Sequence, residues 1–126
     1  MINFEKSGAL NLTEVERRAL TEFVEKVCQQ VDGELLSLTL FGSRARGDAK
    51  PESDMDILVV MSDVDSNTRR KIRYLAAEVW LEYGIYLSTR VWSYSYWREQ
   101  EEHQTSLYQN ILRDGVNLLE PSPVVS

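Results

Sequence analysis

Two kinds of apolar pattern alternate along the chain. From Thr13 to Val31, apolar residues recur as Val15, Ala19, Phe23 and Val27, and again as Leu20, Val24 and Val31. That spacing marks a helix with one apolar stripe. Thr13 and Glu16 form a capping box at its start, and Asp32-Gly33 closes it. Leu35 to Phe41 is apolar with little alternation, as in a strand covered on both faces. Asp54 to Met61 is a second strand, acidic at its start and apolar from Ile57 onward. Asp63 to Asn67 offers caps for a second long helix, whose stripe is Ile72, Leu75, Ala76, Val79, Trp80 and Tyr83. Gly84 suits the left-handed residue that ends such a helix. Ile85 to Trp92 reads as a third strand. Ser93 or Ser95 caps a short helix through Glu99, and Thr105 caps another through Leu107, Tyr108, Ile111 and Leu112. Val116 to Leu119 reads as an edge strand. The expected fold is α/β (α+β): a small mixed β-sheet with helices packed mainly on one face. A single domain is expected, with its core at about 13–119 and a tail at 120–126.

Charge and composition narrow the function. The net charge of -6 and pI of about 4.8 argue against broad binding to a nucleic-acid backbone or an anionic membrane. The one cysteine, Cys28, allows no internal disulfide, and its place near the first helix's stripe predicts a buried residue. No apolar run approaches membrane-spanning length. The lone cysteine leads to the expectation of a cytoplasmic setting, and Met1 to Leu12 lacks the basic start and apolar core of a signal peptide. His103 is the only histidine and is expected on the surface. The basic run Arg69-Arg70-Lys71-Arg73 opposes the dipole of its helix and reads as a solvated face. The aromatics Tyr94, Tyr96, Trp97 and Tyr108 fit either core or an interface.

The chemistry concentrates between the first two strands. Side chains two apart on a strand share a face, so Asp54 and Asp56 stand together while Met55 and Ile57 face the other way. Two adjacent carboxylates repel, and a divalent cation removes that cost. Hard carboxylate oxygens suit Mg²⁺, whose shell substrate phosphates commonly complete. The preceding turn supplies what phosphates need. Gly42 allows close backbone approach, and Ser43 offers a hydroxyl. Arg44 and Arg46 can pair with phosphate oxygens or with Asp54 and Asp56 themselves. The stretch is expected to hold a metal–nucleotide complex. Asp54 and Asp56 are its candidate metal ligands, and Gly42, Ser43, Arg44 and Arg46 its candidate phosphate contacts.

The run Gly42-Ser43, ten intervening residues, then Asp54-Met55-Asp56 resembles the signature of the DNA polymerase beta-type nucleotidyltransferase superfamily. The stretch GSRARGDAKPESDMDILVV is similar to its small stand-alone members, the minimal nucleotidyltransferases, antitoxins paired with HEPN-domain toxins. The resemblance covers roughly Leu35 to Leu119. It implies the nucleotidyltransferase fold, Mg²⁺ and ATP at the site, and catalytic roles for Asp54, Asp56 and Ser43. It implies transfer of AMP to a tyrosine of a HEPN toxin partner. Most members of the superfamily also carry a third carboxylate on the third strand. This chain has no Asp or Glu between Gly84 and Trp97, and Ser88 falls at that place. Two functions lead from the sequence, a nucleotidyltransferase acting on its partner or a module of the same fold that neutralises its partner by contact, with nucleotide transfer to a small molecule a weaker third. Either could be a homo- or hetero-oligomer.

Overall fold

The computed structural model describes residues 12–46 and 54–119, without the side chains of Ser43 and Arg46. The turn residues Gly47, Lys50, Pro51 and Glu52 and the tail lie outside the described residues. Helix α1 spans Glu14–Gln30, strand β1 Leu35–Phe41, the one-turn helix α2 Ser43–Arg46, and strand β2 Met55–Met61. Helix α3 follows at Ser66–Tyr83, strand β3 at Leu87–Ser93, helices α4 and α5 at Tyr94–Glu102 and Ser106–Asp114, and strand β4 at Val116–Asn117. The four strands form one sheet in the order β3-β2-β1-β4. β1 is antiparallel to β2 and β4, whereas β2 and β3 are parallel.

Local chemistry fixes the helix ends. Thr13 accepts from the Glu16 N–H at 3.1 Å, and Glu16 accepts from the Thr13 N–H at 2.9 Å, the reciprocal bonds of a capping box. Asp65 caps α3 by accepting from the Thr68 N–H at 2.7 Å. Gly84 ends that helix at φ 72°, in the left-handed region. Ser93 and Thr105 cap α4 and α5.

β2 is buried on both faces. Met55, Ile57, Val59 and Met61 join Leu38 and Leu40 in the main core under α1 and α3. Leu58 and Val60 point the other way, into a smaller cluster with Phe41, Trp92 and Ile111 that α4 and α5 help cover through Trp97 and Leu107. Strand alternation thus separates a large core from a small one, and Asp56 shares the side of the small one. Trp97 and Tyr108 pack together at 4.8 Å between centroids, so both serve this packing, while Tyr94 and Tyr96 remain exposed.

Three helical expectations change. Cys28 is exposed, because it lies about 100° around the helix from the buried Val27. Val15, in the first turn, is 47% exposed. Trp80 is 55% exposed, one position on from the fully buried Val79, and meets Tyr86 edge-on instead of the sheet.

A buried ion pair ties α2 to α1. The Arg44 Nη2 donates to both carboxylate oxygens of Glu16 at 2.6 Å, and each side chain is only 6% exposed. Glu16 therefore caps α1 and anchors the turn after β1 at once. Removing one partner strands a buried charge, which typically costs on the order of 3 kcal/mol or more. Glu16→Gln and Arg44→Met are each expected to destabilise the protein by about that amount in urea titration. The double variant should recover part of the loss.

Candidate active site

The site begins where β1 ends. Gly42 leaves the strand at φ +79°, a conformation other L-residues adopt only under strain. The Gly42 carbonyl then accepts from the Ala45 N–H at 3.1 Å, closing the turn that starts α2. A Cβ built on Gly42 would lie 2.6 Å from the Asp56 Oδ2. The carboxylate of Asp56 therefore occupies the space that a side chain at position 42 would need. Sequence reasoning gave Gly42 to an approaching phosphate. The structure adds an internal reason for the same glycine.

The sheet register supplies the neighbours of Asp56. It lies opposite Phe41 on β1 and beside Ser88 on β3. The serine thus falls at the place the sequence indicated for a third carboxylate. Arg90, two positions along β3, faces the same side and pairs in register with Leu58. Asp54 stands exposed just ahead of β2, one residue before the observed strand start. Burial pushes the half-buried Asp56 carboxyl above its ordinary value. The Arg90 guanidinium pulls it back, and the Asp54 carboxylate pushes it further up. Asp56 and Asp54 are thus close enough to feel each other, and a cation between them would relieve both burial and repulsion.

The other sequence candidates fall differently. Arg44, offered to phosphates or to the two aspartates, is buried with its Nη2 on Glu16. Its part here is to hold the turn. The side chains of Ser43 and Arg46 lie outside the described residues, although both positions belong to α2. Two contributors were missed. Glu16 was legible only as a cap, since nothing local reveals a partner 28 residues away. Arg90 was recoverable from strand alternation, because Ser88, Arg90 and Trp92 share a face. Among the described residues, no group of three or more His, Cys, Asp or Glu is arranged to hold a metal. Two carboxylates with open positions fit a hard cation that keeps its remaining shell for phosphate oxygens and water.

Because its pKa is raised in the fold, ionised Asp56 opposes folding. That penalty is absent below the unfolded value, near 3.8, grows as pH rises through the folded value, and is complete above it. Asp56→Asn should therefore raise Tm at pH 7, and the gain should shrink as pH falls toward 3.8. Mg²⁺ should raise the Tm of the parent protein and not that of the variant. Calorimetric melts across pH, with and without Mg²⁺, check both outcomes.

Similar sequences and similar folds are known. The family model described as a nucleotidyltransferase domain matches residues 20–117. A candidate protein adenylyltransferase of Methanocaldococcus jannaschii is 34% identical over 100 residues, spanning 79% of this chain and 94% of that protein. The fold superposes on a candidate nucleotidyltransferase from Sulfolobus solfataricus with a TM-score of 0.52, at 24% identity, over 90% of this chain and 92% of that one. It also superposes on a structure of the tri-AMPylated Shewanella oneidensis HEPN toxin in complex with its MNT antitoxin. There the TM-score is 0.50 at 18% identity, over 83% of this chain and 72% of that one. With a Gly-led turn, a carboxylate pair at the next strand's start, and a family match across most of its length, this chain belongs to the nucleotidyltransferase domain family.

Proposed function

We propose that the protein transfers AMP from Mg²⁺–ATP to a hydroxyl of a partner protein, a tyrosine of a HEPN-domain toxin, and so acts as that toxin's antitoxin. The observation that carries this reading is the Asp56 carboxylate, half-buried against Gly42 with Asp54 beside it. Further support comes from the similarity to a candidate protein adenylyltransferase and to the fold seen beside an AMPylated HEPN toxin.

In this reading the triphosphate lies along the turn of Gly42 and Ser43, beside the Asp56 carboxylate that fills the space of the missing Cβ, and Arg46 is a further candidate contact. Arg44 holds the turn from behind through Glu16. Asp54 and Asp56 would hold Mg²⁺, which when bound offsets the charge of the triphosphate and of the departing pyrophosphate. The acceptor oxygen attacks the α-phosphorus in line. The new O–P bond forms as the bond to the β-phosphate breaks, and pyrophosphate leaves with that electron pair. Ser88 can hydrogen-bond the incoming hydroxyl but is too weak a base to take its proton, so the proton passes to solvent or to a partner group. Positioning and charge neutralisation then supply most of the acceleration.

A second reading, neutralisation by contact alone, draws on that same Ser88, which stands beside Asp56 where a carboxylate is expected. Intact-mass spectrometry separates the two. A HEPN toxin incubated with this protein and Mg²⁺–ATP should gain AMP adducts. Asp54→Asn should slow the gain by about a hundredfold or more while the complex still forms. Full protection from toxicity by Asp54→Asn would favour contact alone.

A further inference from the structure

A second concave site lies on the opposite side of β2 from the Gly42 turn. β3 is the outermost strand there, in the order β3-β2-β1-β4. A cleft of about 450 Å³ wraps its edge between α3 and α4. Arg69 and Arg73 reach it from α3, Arg90 and Trp92 from β3, and Tyr96 from α4. All three arginines are exposed, and no described Asp or Glu lines the cleft. On a chain of net charge -6, three guanidinium groups in one cleft, of which Arg90 also feels Asp56, are a local reversal of sign. Arg69 spends one N–H on the Val91 carbonyl at 2.6 Å, which holds it at the strand edge. Arg73, one helical turn further on, has no such anchor among the described residues.

We propose that this cleft binds an acidic peptide segment of the protein acceptor and so presents its hydroxyl to the nucleotide. The proposal rests on the protein-acceptor reading above. Its geometric warrant is the in-line requirement. Pyrophosphate leaves toward the Gly42 turn, on the β1 side of β2, so the attacking hydroxyl arrives from the β3 side. Arg90 faces the same side of the sheet as Asp56 and is two positions along from Ser88. Two residues of strand cover roughly 7 Å. A peptide whose carboxylates lie on Arg90 and Arg73 therefore sets a neighbouring residue beside Asp56.

The chemistry of the walls selects a carboxylate peptide over a nucleic acid. Guanidinium groups pair with carboxylates and phosphates alike through paired N–H bonds, so the choice between them rests on the aromatic surface and the overall charge. Single-stranded nucleic acid needs open aromatic faces for its bases. Trp92 is buried to 8% exposure and meets Tyr96 edge-on at 5.0 Å, so Tyr96 is the one open aromatic ring among the described residues of the cleft, too little for a run of stacked bases. The overall negative charge also disfavours a long phosphate backbone.

The test uses the intact protein and fluorescein-labelled peptides in which a tyrosine is followed by four glutamates, four glutamines or four lysines. Fluorescence anisotropy should show the glutamate peptide binding at least about tenfold tighter than the glutamine peptide, with the difference reduced by salt. Arg73→Glu should abolish that preference and favour the lysine peptide, while leaving Mg²⁺–ATP binding unchanged. Equal affinity for glutamate and glutamine peptides would overturn the proposal. So would a uridine oligonucleotide that binds in competition with the glutamate peptide and more tightly. Mg²⁺–ATP binding without peptide discrimination would sink this inference and leave the nucleotide reading standing. Peptide discrimination without nucleotide binding would sink the nucleotide reading, and with it the presenting role, and leave the cleft as an acidic-peptide site alone.

Discussion

The carboxylate of Asp56 sits in the space that any side chain at position 42 would fill, and the site is built outward from that contact. It requires a glycine with positive φ at the end of β1 and an antiparallel register that sets Phe41 against Asp56. It also requires that the turn after Gly42 stay in place. The buried Arg44–Glu16 pair supplies that restraint, linking a four-residue helix too short to hold itself to the first turn of α1. Capping of α1, position of the turn and placement of the carboxylate are therefore one coupled arrangement. Burial and the neighbouring Asp54 raise the pKa of Asp56, so the arrangement works against its ionised form.

Acidity and basicity are divided across the sheet. Two carboxylates stand at the start of β2, and three arginines cluster at the edge of β3. Arg90 belongs to both regions, since its charge stabilises ionised Asp56 while its side chain lines the basic cleft. The net charge of the chain conceals this division. Overall charge bears on solubility and long-range attraction, whereas recognition depends on where individual charges face.

Features with local causes were legible in the sequence. The caps Thr13 and Thr105 and the terminator Gly84 act within one helical turn, so the residues name them directly, while Asp65 and Ser93 each stood among neighbouring candidates. The place of Ser88 beside Asp56 was indicated by the family resemblance and not by local pattern, and the parallel register of β2 and β3 supplies it. Features set by distant packing were not legible. An apolar stripe does not state how wide a partner covers it, which left Val15, Trp80 and Cys28 exposed against expectation. Nor does the string GSRAR say that its first arginine turns inward, because the reason is a glutamate in another element. The same separation hid the cleft: Arg69 and Arg73 read as a solvated face until β3 brought Arg90 alongside.

The most direct test of the account is calorimetric titration of ATP, with and without Mg²⁺, into the parent protein and into an Asp54→Ala/Asp56→Ala variant. The account predicts saturable binding to the parent that needs Mg²⁺ and disappears in the variant, although the variant remains folded. Binding that survives loss of both carboxylates, or that ignores Mg²⁺, would contradict the claim that this strand start is a metal–nucleotide site.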